Sequence, residues 1–182
     1  MIIATLILIW RHGISYQLGL MLCLTGLLYL ASISDMKIRR IPNRIILTAV
    51  LVRMFYFAAE VFWWKKAVFL PALLKLLGNA LSVSLPLLLL TVFMEKHWKK
   101  AAFGGGDIKL LFVTGLYLGA EVNLWILFLT CIVALVMLAV RRLQVKKKEW
   151  KNVGQYRYVP LAPAVLIAVE IWMLLGYSEH IL

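Results

Sequence analysis

The sequence predicts an all-α membrane protein, a polytopic bundle of about six transmembrane helices. Three observations carry that prediction. Apolar residues make up 64% of the 182 residues and the mean hydropathy is +0.92, whereas a soluble domain is nearer half apolar. The apolar residues fall into six runs, and crossing hydrocarbon takes roughly 20 residues of helix. The charged residues fall mostly between those runs. The formal net charge of +12 also suits a nucleic-acid partner. Basic residues gathered in short loops between apolar runs favour a membrane instead, so no nucleic acid is expected. At this length, residues 1–182 are expected to form a single integral membrane domain.

The elements follow in order. Met1–Trp10 is apolar but too short to span. Arg11, His12 and Gly13 interrupt it and no small-residue cleavage site follows, so it reads as an interfacial or extended start to the first helix. Tyr16–Ser34 is the first span. It runs into Asp35-Met36-Lys37-Ile38-Arg39-Arg40-Ile41-Pro42-Asn43-Arg44, a basic loop in which Pro42 can open the next helix. The second span is Ile45–Val61, with Arg53 near its middle. Trp63, Trp64, Lys65 and Lys66 form an interfacial belt. Val68–Met94 is the third span. It carries Lys75, Asn79 and Pro86 and is longer than needed, so a tilt or kink is expected.

Glu95–Lys100 reads as a polar loop. Ile108–Gly119 is too short to cross, whereas Ala101–Gly119 restores a plausible length. On that count the run Gly104-Gly105-Gly106 lies at membrane depth. Non-helical backbone is tolerated there only where protein or a watery cavity surrounds it. Glu121 and Asn123 mark a turn before the fifth span, Leu124–Val140. A basic loop, Arg141–Arg157, leads to the sixth span, Val159–Tyr177, which opens with Pro160-Leu161-Ala162-Pro163.

Fifteen of the 20 lysines and arginines lie in residues 35–44, 95–109 and 141–158. The positive-inside rule makes those three loops cytoplasmic, and six spans then put both termini outside. Topology and contact with anionic membrane lipid account for the basic loops without a specific ligand. Cys23 and Cys131 sit inside apolar runs. With no CxxC and no Cys/His cluster, they read as packed core residues, and neither a metal nor a cofactor is expected.

Among eight acids, Asp35 and Asp107 are the only aspartates. Both fall on the cytoplasmic side at similar depth. Two close carboxylates share a proton because both cannot ionise easily. Such a pair can hydrolyse a peptide with water alone, one carboxylate as general base and the other as acid. Glycines before Asp107 would let an extended peptide approach closely. Taken singly, Asp35 reads first as a solvated helix-end charge, and the glycine run reads equally as a flexible turn. Lys37 and Lys109, each two residues after an aspartate, either hold it ionised or mark the membrane edge.

Three motifs in this order resemble the type IV prepilin peptidases, polytopic aspartic proteases with a GxGD motif. They are Asp35 with Ile41-Pro42-Asn43, then Phe103-Gly104-Gly105-Gly106-Asp107-Ile108-Lys109, then Val159-Pro160-Leu161-Ala162-Pro163. The resemblance covers about 150 residues in order, spacing and topology. It implies a catalytic dyad of Asp35 and Asp107, with Gly104 and Gly106 as the motif glycines. It also implies prepilin or pseudopilin substrates that lose a short basic leader at the cytoplasmic face of the inner (plasma) membrane. Pilus or secretion assembly machinery would be nearby. Larger members carry paired CxxC motifs and also N-methylate the new terminus. This chain lacks those cysteines and resembles the short, peptidase-only form, so residues 1–182 are expected to be one membrane peptidase domain.

Gly105, Lys109, Pro42, Asn43, Pro160 and Pro163 are expected to support the site or the substrate. Arg40 and Asn43 could orient the Asp35 loop, although Asn43 suits a helix cap equally. The two prolines could shape a cleft or simply start the last helix. Arg53 and Glu170, both mid-span, are expected to pair, because either alone in lipid is costly. Two other functions stay open: a GxGD intramembrane protease for other transmembrane substrates, and a non-enzymatic proton- or ion-coupled transporter.

Overall fold

The computed structural model describes residues 16–63, 68–99, 104–144 and 160–175. The expectations for Met1–Trp10, for Trp64, Lys65 and Lys66, for Phe103, for the basic segment after Gln144 and for Val159 lie outside the described residues.

The described residues form six α-helices: α1 (Tyr16–Ile38), α2 (Asn43–Ala58), α3 (Phe69–Trp98), α4 (Gly105–Leu118), α5 (Ala120–Gln144) and α6 (Leu161–Leu174). A π-helical turn, Ala59–Trp63, extends α2. No strand occurs among the described residues. The protein is therefore an all-α polytopic membrane bundle. Helices suit this chain because each satisfies its own backbone hydrogen bonds, which lipid cannot do.

Four segments are long and apolar enough to cross a membrane: Gly19–Ile38, Asn43–Phe62, Phe69–Trp98 and Ala120–Val140. Helices α4 and α6 have 14 residues each, about 21 Å at 1.5 Å per residue. That falls short of the ~30 Å hydrocarbon core. These two are instead the inner helices, each with more than half of its residues buried. Leu110, Val113 and Leu116 of α4 join Val165, Ala168 and Val169 of α6 and Leu24, Leu28 and Ala31 of α1 in one core.

Several ends differ from expectation. Helix α1 continues one turn past Ser34 and stops at Arg39, whose left-handed φ of 54° breaks the helix. The Arg39 N–H still reaches the Asp35 carbonyl at 3.0 Å. Asp35 thus lies in the last helical turn rather than in a loop. Helix α3 runs through Pro86 and past Met94, so Glu95–Trp98 is helix, and Lys99 ends it at φ 52°. Only Gly119, at φ +87°, separates α4 from α5. Asn123 therefore marks no turn. It is fully buried in α5, where its amide donates to the Leu111 carbonyl (3.0 Å) and its Oδ1 accepts from the Thr114 hydroxyl (2.6 Å).

Helices α3 and α4 approach backbone to backbone at Gly115 of α4. A Cβ there would lie 2.8 Å from the Asn79 carbonyl oxygen and 2.9 Å from the Ala80 Cα. Helices α3 and α4 can touch backbone to backbone only without that methyl, the small-residue logic of membrane helix pairs. Helices α2 and α4 run side by side in the same direction, stitched along their length. The Lys109 Nζ donates to the Asn43 Oδ1 at 2.9 Å and the Tyr117 hydroxyl to the Ala49 carbonyl at 2.8 Å. The Arg53 Nε donates to the Leu116 carbonyl at 2.9 Å. The carboxylate that meets Arg53 is Glu60, with Nη1 to Oε1 at 3.4 Å, rather than the expected Glu170. Glu60 lies seven residues on, about two turns along the same helical run, so the pair forms locally.

Candidate active site

Three helix ends meet at one end of the bundle: the last turn of α1 and the first turns of α4 and α6. Asp35 comes from α1 and is buried, with 8% of its surface exposed. Its Oδ2 accepts the Ala162 N–H at 3.1 Å. Ala162 sits in the first turn of α6, whose cap position is held by Pro160 with no side-chain cap bond. The first N–H groups of a helix have no partner within it. Proline's side chain cannot accept for them, and Pro163 contributes no N–H of its own. Asp35 thus serves as the missing cap, supplied by another helix, at the end where a helix dipole favours negative charge. Pro160 and Pro163 start α6, as the simpler of their two expected roles had it, and in doing so they present Ala162 to Asp35.

Asp107 lies in the first turn of α4, half-buried, with Gly104 at the cap position. Gly105 and Gly106 are helical rather than irregular, which corrects the expectation of a non-helical glycine run. The three glycines have different surroundings. A Cβ on Gly104 would lie 2.9 Å from the Asp107 Oδ2, so this glycine leaves room for the carboxylate to fold back over the helix start. A Cβ on Gly106 would touch Ile41 at 3.5 Å, and one on Gly105 would meet nothing within 4 Å. Ile41, of the Ile41-Pro42-Asn43 stretch, therefore packs on Gly106 directly beside Asp107.

The same stretch is held a second time by Lys109. Pro42 caps α2 with φ −62°, and Asn43 turns its side chain away from α2's own N–H groups to accept from Lys109. The Lys109 ammonium is accordingly engaged by Asn43. Lys37 and Arg40 are exposed, and neither has a described bond to Asp35.

Asp35 and Asp107 are electrostatic neighbours, since the Asp35 charge acts directly on Asp107. The structure thus brings together Asp35, Asp107, Gly104, Gly106, Pro160 and Pro163, with Pro42, Asn43 and Lys109 bracing the rim and Gly105 facing open space. Sequence reasoning missed the Ala162 N–H, a backbone group that no side-chain pattern reveals. The signal for it was a helix start flanked by prolines and lacking any Ser, Thr, Asp or Asn cap. Among the described residues, no group of three or more His, Cys, Asp or Glu side chains is placed to hold a metal ion.

The family model of the type IV leader peptidases matches residues 22–139. The match takes in Asp35, the Ile41-Pro42-Asn43 stretch and Asp107, and it ends before Pro160. Neither a curated protein nor a solved structure matches the chain.

Proposed function

We propose that this chain, which belongs to the type IV leader peptidase family, is an aspartic endopeptidase that removes the short basic leader from prepilins or pseudopilins. Family membership makes it a peptidase, and its apolar helices make it a multi-pass membrane protein. The aspartic mechanism, the substrate and the orientation are our reading. The observation that carries it is the convergence of Asp35 and Asp107, the only two aspartates in the chain, at one end of the bundle with interacting charges.

In this reading the dyad holds one proton. The ionised carboxylate takes a proton from water, whose oxygen attacks the scissile carbonyl, while the protonated carboxyl donates to the carbonyl oxygen. As the tetrahedral intermediate collapses, the C–N bond breaks and the amide nitrogen takes a proton from the dyad. The leader leaves with the new carboxylate and the mature protein with the new amine. The proton belongs to the pair, so neither aspartate is a fixed acid or base. The Ala162 N–H, held on the Asp35 Oδ2, fixes one carboxylate while the other faces Gly104. Gly105 faces open space and leaves a path for an extended segment, whose amides are not hidden in helical hydrogen bonds.

The orientation rests on the positive-inside rule. Loops carrying most of the lysines and arginines belong on the cytoplasmic side, which places the dyad at the cytoplasmic face of the inner (plasma) membrane. Residues 1–182 act in this reading as one membrane peptidase domain. Co-expression with a prepilin tests it. Leader removal by the wild type and none by Asp35→Asn or Asp107→Asn is the expected result, and cleavage surviving either change refutes the dyad. Cleavage of unrelated transmembrane helices with prepilins left intact would favour the broader GxGD protease. Ion flux in vesicles without any cleavage would favour a transporter.

A further inference from the structure

A second polar site lies at the opposite end of the bundle. It is a half-open cavity of about 520 Å³ between the end of α2, the start of α3 and the α4–α5 junction. Asn43 and Lys109 mark the dyad end of the stitched pair α2 and α4, and Arg53 lies ten residues along α2. The cavity therefore begins about 15 Å from the dyad end. Four of its lining residues are charged: Arg53, Glu60, Lys75 and Glu121.

These four form two layers. The inner layer is the Arg53–Glu60 pair, with side chains 11% and 21% exposed. The Arg53 Nε is already committed to the Leu116 carbonyl and its Nη1 meets the Glu60 Oε1 at 3.4 Å, while Nη2 has no described hydrogen bond and Arg53 lines the cavity. The outer layer is Lys75 and Glu121, both exposed. Among the described residues, neither has a hydrogen-bond or ion-pair partner. The cavity thus offers an uncommitted cation and an uncommitted anion, backed by a second cation and a second anion.

Depth says what reaches it. Helix α3 has 30 residues, about 45 Å, which is the thickness of the hydrocarbon core together with its headgroup regions. Lys75 lies six residues from the α3 start, about 9 Å in, near the border of headgroups and hydrocarbon. Lipid is the ligand always present at that border. A ligand that is only anionic would leave Glu121 and Glu60 facing it, and like charges repel. A zwitterion satisfies both signs. The volume also falls within the roughly 300–1,000 Å³ of small-ligand sites.

We propose that this cavity binds a phospholipid headgroup bearing a phosphate and a primary amine. Lys75 and Arg53 take the phosphate, and Glu121 and Glu60 take the ammonium. A primary amine suits this site better than a quaternary one because it donates hydrogen bonds to carboxylates. The site is independent of the peptidase reading, since none of its residues belongs to the dyad end.

The test uses the full chain, delipidated in a neutral detergent. Phosphatidylethanolamine, phosphatidylglycerol, phosphatidylcholine and soluble phosphoethanolamine are added in turn, followed by native mass spectrometry and thermal unfolding. Phosphatidylethanolamine should be retained about tenfold better than either other lipid and should alone raise the unfolding temperature; tenfold corresponds to ~1.4 kcal/mol. Lys75→Gln and Glu121→Gln, both at exposed positions, should fold normally and each lose that preference. Equal retention of phosphatidylglycerol overturns the proposal, as does a preference that survives the double variant. Stabilisation by soluble phosphoethanolamine equal to that by the lipid overturns the lipid assignment.

Discussion

Replacing Gly104 by alanine separates the geometry of the site from the stability of the fold. The new Cβ would stand 2.9 Å from the Asp107 Oδ2, whereas ordinary contact begins near 3.4 Å. The carboxylate must therefore retreat by about 0.5 Å or rotate, which is the whole tolerance within which a catalytic group works. A misplacement of 1 Å can cost about a hundredfold in rate, so a loss of roughly tenfold in leader cleavage is expected. The fold should hardly notice. Gly104 has φ −68° and ψ 139°, a conformation open to alanine, and the displaced atom is the end of a side chain. Alanine caps a helix less well than glycine, which accounts for about 0.5 kcal/mol. Gly105→Ala is the matched control, since its Cβ meets nothing within 4 Å, and it should cleave like the wild type. The assay is the rate of prepilin leader removal by purified protein, with thermal unfolding alongside. Full activity in Gly104→Ala, or an equal loss in Gly105→Ala, refutes the argument.

Gly115→Ala should do the reverse. Its Cβ meets the backbone of Asn79 and Ala80, which cannot step aside, so a loss of about 1–3 kcal/mol is expected in the unfolding of purified protein. Lys109→Ala and Asn43→Ala should each lower cleavage severalfold by loosening the Ile41–Gly106 contact, with a double-mutant coupling of about 0.5–1 kcal/mol; strictly additive effects would show that their 2.9 Å bond braces nothing. The pH profile of kcat/KM should be bell-shaped, falling in acid when both aspartates are protonated and in alkali when both are ionised. A profile with one limb only would show that a single carboxylate works alone.

Much of the bundle was legible because lipid removes options. Apolar runs about 20 residues long must be helices there, and the loops carry the charge. The helix ends were less legible. Arg39 and Lys99 end their helices with positive φ, a backbone state that basic residues do not announce. Which helices lie inside was not legible either, because segments apolar nearly all round carry no periodic signal. Helices α4 and α6 are distinguished by packing, as at Gly115 and in the Thr114–Asn123 pair. Asn123 looked like a turn residue since an amide in an apolar run usually ends it; here the Leu111 carbonyl and the Thr114 hydroxyl satisfy it. Arg53 looked like a partner for Glu170 because equal depth suggested contact, yet Glu60 on the same helical run was nearer. At the site, Asp35 and Asp107 could be picked out by scarcity. The α6 N-terminus that holds Asp35 involves only a backbone N–H.

The central claim is that Asp35 and Asp107 together activate water. Its most direct test is cleavage of a purified prepilin by purified protein in detergent, with the wild type, Asp35→Asn and Asp107→Asn compared at equal folded fraction. Loss of general acid–base assistance is worth about 10²–10⁴-fold in rate. Each variant is therefore expected to fall by at least that much while the unfolding temperature stays near the wild-type value. Cleavage by either variant at a rate within a few-fold of the wild type would contradict the account.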